Sequence, residues 1–91
     1  MKLIIVGNPT CRPCVVMKNQ IMDRIDELEA LGASFEYISL NELEDKDTFI
    51  QKHGLTSTPT ILFENDGKIT LKLDGYIDID TLFEMVEDEN K

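Results

Sequence analysis

Leu3, Ile4, Ile5 and Val6 form an unbroken apolar run closed by Gly7-Asn8-Pro9. Such a run predicts a short central strand buried on both faces. From Arg12 to Leu31 the period changes. Met17, Ile21, Ile25 and Leu28 recur at helical spacing, Asp26, Glu27 and Glu29 face outward, and Gly32 stands at the stop, which predicts one helix. Ser34–Leu40 is rich in aromatic and β-branched residues and suits a second strand. Asn41 is the expected cap of a second helix running to His53, with Gly54 just beyond it. Thr60–Phe63 reads as a third strand, and Asn65-Asp66-Gly67 as a hairpin turn. In Lys68–Leu73, Ile69, Leu71 and Leu73 alternate with Lys68, Thr70 and Lys72. That alternation predicts a half-buried strand, with lysines suited to a sheet edge. Asp78 or Asp80 can cap a last helix whose apolar face is Ile79, Leu82, Phe83 and Val86.

The order is βαβ followed by αββα. The first two strands are expected to be parallel through a right-handed crossover, and the last two antiparallel. Residues 1–91 contain no repeat, low-complexity tract or linker, so one α/β domain is expected.

Composition narrows the partners. The chain is 42% apolar and 30% charged, as in a soluble globular protein. Its net charge of −9 disfavours nucleic acid and anionic membrane as partners. The charge is also unevenly placed. Residues 1–22 carry Lys2, Arg12, Lys18 and both cysteines but no acid, whereas acids crowd into 23–29, 42–47 and 78–89. The N-terminal apolar run is too short for a signal peptide or a membrane span, so a cytoplasmic protein is expected. In that compartment a closely spaced cysteine pair is more often catalytic or metal-binding than structural.

That pair, Cys11-Arg12-Pro13-Cys14, sits where the first strand hands over to the first helix. Residues three apart on a helical turn are about 5–6 Å apart, close enough for a disulfide after slight adjustment. Cys11 lies at the helix start, where unpaired N–H groups and the dipole favour an anion; Arg12, and Lys18 if it faces the same way, add positive charge. Each stabilises the thiolate, the attacking species. Cys14, about a turn inside, is expected to be more buried and less reactive. Pro13 suits the first turn, where its missing N–H breaks no helical bond. Half a zinc site is the competing reading, but there is no second cysteine pair, and the lone His53 reads as a cation at a helix C-terminus. The strand–Cys-x-x-Cys–helix order favours redox chemistry.

Several blocks together resemble the thioredoxin superfamily: Cys11-Arg12-Pro13-Cys14, His53-Gly54-Leu55, Thr58-Pro59-Thr60-Ile61-Leu62-Phe63, Asp66-Gly67-Lys68 and Gly75-Tyr76-Ile77. The resemblance implies a thioredoxin-like fold, a four-stranded mixed sheet in the order 4-3-1-2, with the third strand antiparallel and helices on both faces. It implies a cis Thr58–Pro59 bond facing the cysteines, Thr58 pairing with a substrate chain, and a groove formed with Pro59, Gly75, Arg12 and Pro13. In other respects the chain departs from thioredoxins. It starts directly on the first central strand, a layout similar to glutaredoxins. Asn8-Pro9-Thr10 stands where a tryptophan is usual, and Ile5 where thioredoxins keep a buried aspartate. Tyr37 or a water is then left as the proton partner of Cys14.

The resemblance implies reduction of disulfide-containing protein substrates by a monomer. Cys11 attacks, Cys14 resolves, and NADPH recharges the pair through a thioredoxin-reductase-type flavoprotein, with no bound cofactor. A glutathione-dependent glutaredoxin is the alternative, with Gly75 to Asp78 offering N–H groups and a carboxylate to the ligand. A metal or iron–sulfur carrier, with Cys11 from two chains sharing a cluster, is the third reading.

Overall fold

In a computed structural model that describes residues 1–90, the N-terminal apolar run becomes β1 (Lys2–Gly7), buried from Leu3 to Gly7. A strand with no polar face must be covered on both sides, and β1 is. It pairs in parallel with β2 (Ser34–Ser39) and antiparallel with β3 (Thr60–Asn65), while β4 (Lys68–Asp74) adds antiparallel to β3. The sheet order is β2-β1-β3-β4, the expected order read from the opposite edge.

Alternation along the strands divides the core in two. Leu3, Ile5, Ile61 and Phe63 pack against α1 (Arg12–Asp23), α2 (Ile25–Ala30) and α4 (Ile79–Glu89) through Met17, Ile21, Leu28, Leu82, Phe83 and Val86. Ile4, Val6 and Leu62 face the other way, onto Leu40, Leu43 and the Phe49 and Ile50 side chains of α3 (Lys46–His53).

Three expectations need correction. The predicted helix 12–31 is two helices, broken at Arg24, whose φ of −122° and ψ of 29° leave the helical region. The apolar stripe resumes in phase beyond the break, so periodicity does not register it. Arg24 holds the junction, donating to Glu27 at 2.7 Å and Asp80 at 2.8 Å while its guanidinium lies 4.9 Å from the Phe83 ring centroid. Nor does Asn41 cap a helix. Leu40–Glu42 is a single 3₁₀ turn, and α3 starts a turn later, at Asp45, which accepts from the Thr48 N–H at 3.2 Å. Leu40 and Leu43 turn into the core between the two, and few other apolar residues there would give a continuous helix a face to bury. Finally, β3 runs on to Asn65, leaving a two-residue turn in which Asp66 and Gly67 both have positive φ. The last helix is capped by Asp78, through the Thr81 N–H at 3.3 Å.

Because Phe63 is fully buried and Ile69 is 37% exposed, truncations on paired strands should differ sharply. Phe63→Ala is expected to lower unfolding free energy by about 3–5 kcal/mol. Ile69→Ala should change it by less than about 1 kcal/mol, and urea unfolding of both variants measures the contrast.

Candidate active site

The chain leaves β1 at Gly7 and turns through Asn8-Pro9-Thr10, where the Cys11 N–H donates to the Asn8 carbonyl at 3.0 Å. Cys11 is the N-cap of α1, with extended φ and ψ of −92° and 105°. Its sulfur accepts from the Cys14 N–H at 3.3 Å, in the role a serine or aspartate oxygen fills at other helix starts. Pro13 occupies the first turn, and that turn carries no acid. Cys11 and Cys14 are joined in a disulfide, with Cα atoms 5.3 Å apart.

The two sulfurs live in different surroundings. Cys11 is half-buried, flanked by exposed Arg12 and Pro13, whereas Cys14 is fully buried. Val15 and Val16 follow it and are exposed, giving the site an apolar shoulder.

Sheet register brings the remaining expected residues to this end of the molecule. Val6 pairs with Thr60 and Thr60 with Asp74, so Thr58, Pro59 and Gly75 lie at the end of the sheet where β1 hands over to the cysteine loop. The Thr58–Pro59 bond is cis and Pro59 is buried. The Thr60 hydroxyl donates to the Ser57 carbonyl at 2.8 Å, and the Gly75 N–H donates to the Pro59 carbonyl at 2.8 Å. Gly75 has a φ of 90°, which favours glycine there. Lys18 lies over the Tyr37 ring, 5.1 Å from its centroid.

One residue essential to this geometry was legible only as punctuation. A Cβ on Gly7 would stand 2.5 Å from the Tyr37 hydroxyl, 2.7 Å from Cys14 Cβ and 3.0 Å from Cys14 Sγ. The glycine that ends the apolar run is therefore the floor on which the cysteine turn rests. Burial, and then the charge of Glu42, raise the Tyr37 phenol above its ordinary value.

His53 belongs elsewhere. It ends α3, on the other face of the sheet from α1, lies against Phe49 in a tilted contact with ring centroids 4.5 Å apart, and is held below the usual imidazole value by burial and the Lys52 charge. Among the described residues no three His, Cys, Asp or Glu side chains gather as a metal set, and no helix is long and apolar enough to cross a membrane.

Comparison with known proteins agrees with this geometry. Residues 2–90 match the model of the thioredoxin-like domain family. Among solved structures, a point mutant of a thioredoxin from Halobacterium salinarum superposes with a TM-score of 0.77 at 21% identity, over 99% of this chain and 74% of that one. Thioredoxin f2 from Chlamydomonas reinhardtii gives 0.79 at 11% identity, over 97% and 77%. Thioredoxin 1 from Thermosipho africanus gives 0.71 at 14% identity, over 98% and 93%. At such identities the likeness is one of fold.

Gly7→Ala tests the close approach. The added methyl must displace either the Tyr37 hydroxyl or the cysteine turn, so a loss of about 1–3 kcal/mol is expected, measured by denaturant unfolding of the oxidised protein. Unaltered stability would mean that α1 does not sit this close to β1.

Proposed function

Because the chain belongs to the thioredoxin-like family, in which a Cys-x-x-Cys disulfide at the head of α1 marks a thiol–disulfide oxidoreductase, we propose that this protein reduces disulfides of other proteins through Cys11 and Cys14. The observation that carries the reading is the unequal placement of the two sulfurs. Cys11 caps the helix at the surface, and Cys14 is fully buried behind it.

The order of events follows from that placement. The Cys11 thiolate, favoured by the Cys14 N–H, the helix start and Arg12, attacks a target disulfide and is left in a mixed disulfide as the target's first sulfur departs. The buried Cys14 then attacks the Cys11 sulfur. The Cys11–Cys14 bond forms and the target leaves with both of its cysteines reduced. Thr58 offers its backbone to the target chain, while Pro59, Gly75, Arg12 and Pro13 shape the groove. Electrons return from NADPH through a flavoprotein reductase of the thioredoxin-reductase type.

Two interactions favour this over glutathione as the donor. Two of the groups that could hold a glutathione end are engaged within the chain: the Gly75 N–H on the Pro59 carbonyl, and the Asp78 carboxylate on the first turn of α4. A net charge of −9 also opposes a small anion away from Arg12 and Lys18.

Iodoacetamide near neutral pH should alkylate Cys11 of the reduced protein well before Cys14. Cys14→Ser should accumulate mixed disulfides with target proteins, and Cys11→Ser should not. Preferential alkylation of Cys14 would reverse the roles. For the donor, reduction of the Cys11–Cys14 bond is expected to be fast with NADPH and a flavoprotein reductase and slow with millimolar glutathione. Fast reduction by glutathione, with none from any reductase, would move the protein to the glutaredoxin class.

A further inference from the structure

Cys14 has no exposed surface, yet resolving a mixed disulfide requires it to give up a proton. We propose that the Tyr37 hydroxyl takes that proton from the Cys14 thiol and passes its own to Glu42 through the pocket beside β2. The inference rests on the reading of Cys14 as the resolving thiol.

Three features place Tyr37 in this role. The first is proximity. Its hydroxyl and the Cys14 sulfur lie within 2.5 and 3.0 Å of the point a Cβ on Gly7 would occupy, near enough to each other for one bridging water to connect them. The second is the setting. Leu3, Ile5 and Met17, packed on the same face of the sheet, are apolar, and Tyr37 brings a hydroxyl among them. The third is a way out. A cavity of about 420 Å³ between α1 and the end of β2 is lined by Pro9, Val15, Lys18, Tyr37, Ser39 and Glu42. Ser39, paired with Gly7 in register, is 9% exposed, and its hydroxyl has no partner among the described residues; a polar group buried this way lines a path for water-borne protons.

The charges around the ring are arranged for relay. The phenol is neutral in the working pH range, so it has a proton to give and lone pairs to receive one. Lys18, reaching over the ring from α1, steadies negative charge that develops on the oxygen. Glu42, at the end of the 3₁₀ turn and exposed, receives the proton and returns it to solvent. The β1 residues beneath, Ile5 and Gly7, carry no charge.

The step balances. The Cys14 S–H bond breaks as its sulfur forms the bond to Cys11 Sγ. The Cys11–target S–S bond breaks with its electron pair on the target sulfur. The proton passes to the bridging water as that water gives one of its own to the Tyr37 oxygen and the phenolic proton moves on to Glu42. No further oxidant or reductant takes part.

The chromogenic aryl disulfide dithiobis(nitrobenzoate) separates the two thiol steps in the reduced full-length protein. One nitrothiobenzoate leaves when Cys11 attacks, and a second when Cys14 closes the disulfide. Tyr37→Phe keeps the ring and removes the hydroxyl. It is expected to leave the first phase unchanged and to slow the second about 10- to 100-fold near neutral pH. The difference should shrink as pH rises, because hydroxide increasingly deprotonates the thiol without the relay. Glu42→Gln, an exposed and conservative change, should slow the same phase with the same pH dependence. An unchanged second phase in either variant, or a slowing equal at every pH, overturns the relay. If instead Cys11→Ser leaves the first phase intact, the assignment of the attacking thiol fails, a different failure from that of the relay.

Discussion

The reactive end of this molecule depends on how closely the first turn of α1 can settle on the end of β1. Gly7 is buried between them, and its missing side chain is what admits the Cys14 Cβ and the Tyr37 hydroxyl to the same small space. With the helix seated there, Cys14 is sealed from solvent while Cys11, a turn earlier, stays at the surface as the cap. The difference in exposure between two chemically identical side chains thus comes from a contact that neither of them makes alone. Residues three apart always fall close together on a helix. What distinguishes this pair is where the helix stands against the sheet.

Charge placement follows the same geometry. The segment that carries the thiols holds only basic residues, while the acidic side chains lie mainly on α2, α4 and the connection into α3. An electron-carrying surface with an apolar shoulder at Val15 and Val16 and a basic Arg12 sits in an otherwise negative molecule. A partner is steered by the surrounding charge but held by contacts near the sulfurs, because screening weakens the first within about 10 Å at ordinary ionic strength.

Much of this was legible in the residues. Apolar runs, alternation and, for β2, aromatic and β-branched content pointed to all four strands, and Cys11, Arg12 and Pro13 announced the helix start, because these signals are local. The misjudged features have a common cause. The break at Arg24 is set by Asp80 and Phe83, residues more than fifty positions away that no window contains. The late start of α3 depends on Leu40 and Leu43 reaching the core first. Gly7 looked like an ordinary end of a strand, and Ser39 stood out in no local pattern; their closeness appears only when the parallel register sets them side by side. The cis Thr58–Pro59 bond was accessible through family resemblance alone.

The hairpin edge carries a consequence for behaviour in concentrated solution. Between Phe63 and Glu64 the pairing with β4 slips, and the Thr70 hydroxyl donates back to the Phe63 carbonyl at 3.3 Å. Lys72 on the same strand reaches across to the Gly54 carbonyl at 2.7 Å. An incoming strand would meet an irregular ladder and a row of ammonium groups, so growth of intermolecular sheets from this side is frustrated. The protein is thereby protected from templating aggregation along this edge, and β2, the opposite margin, is the side on which any such growth would begin.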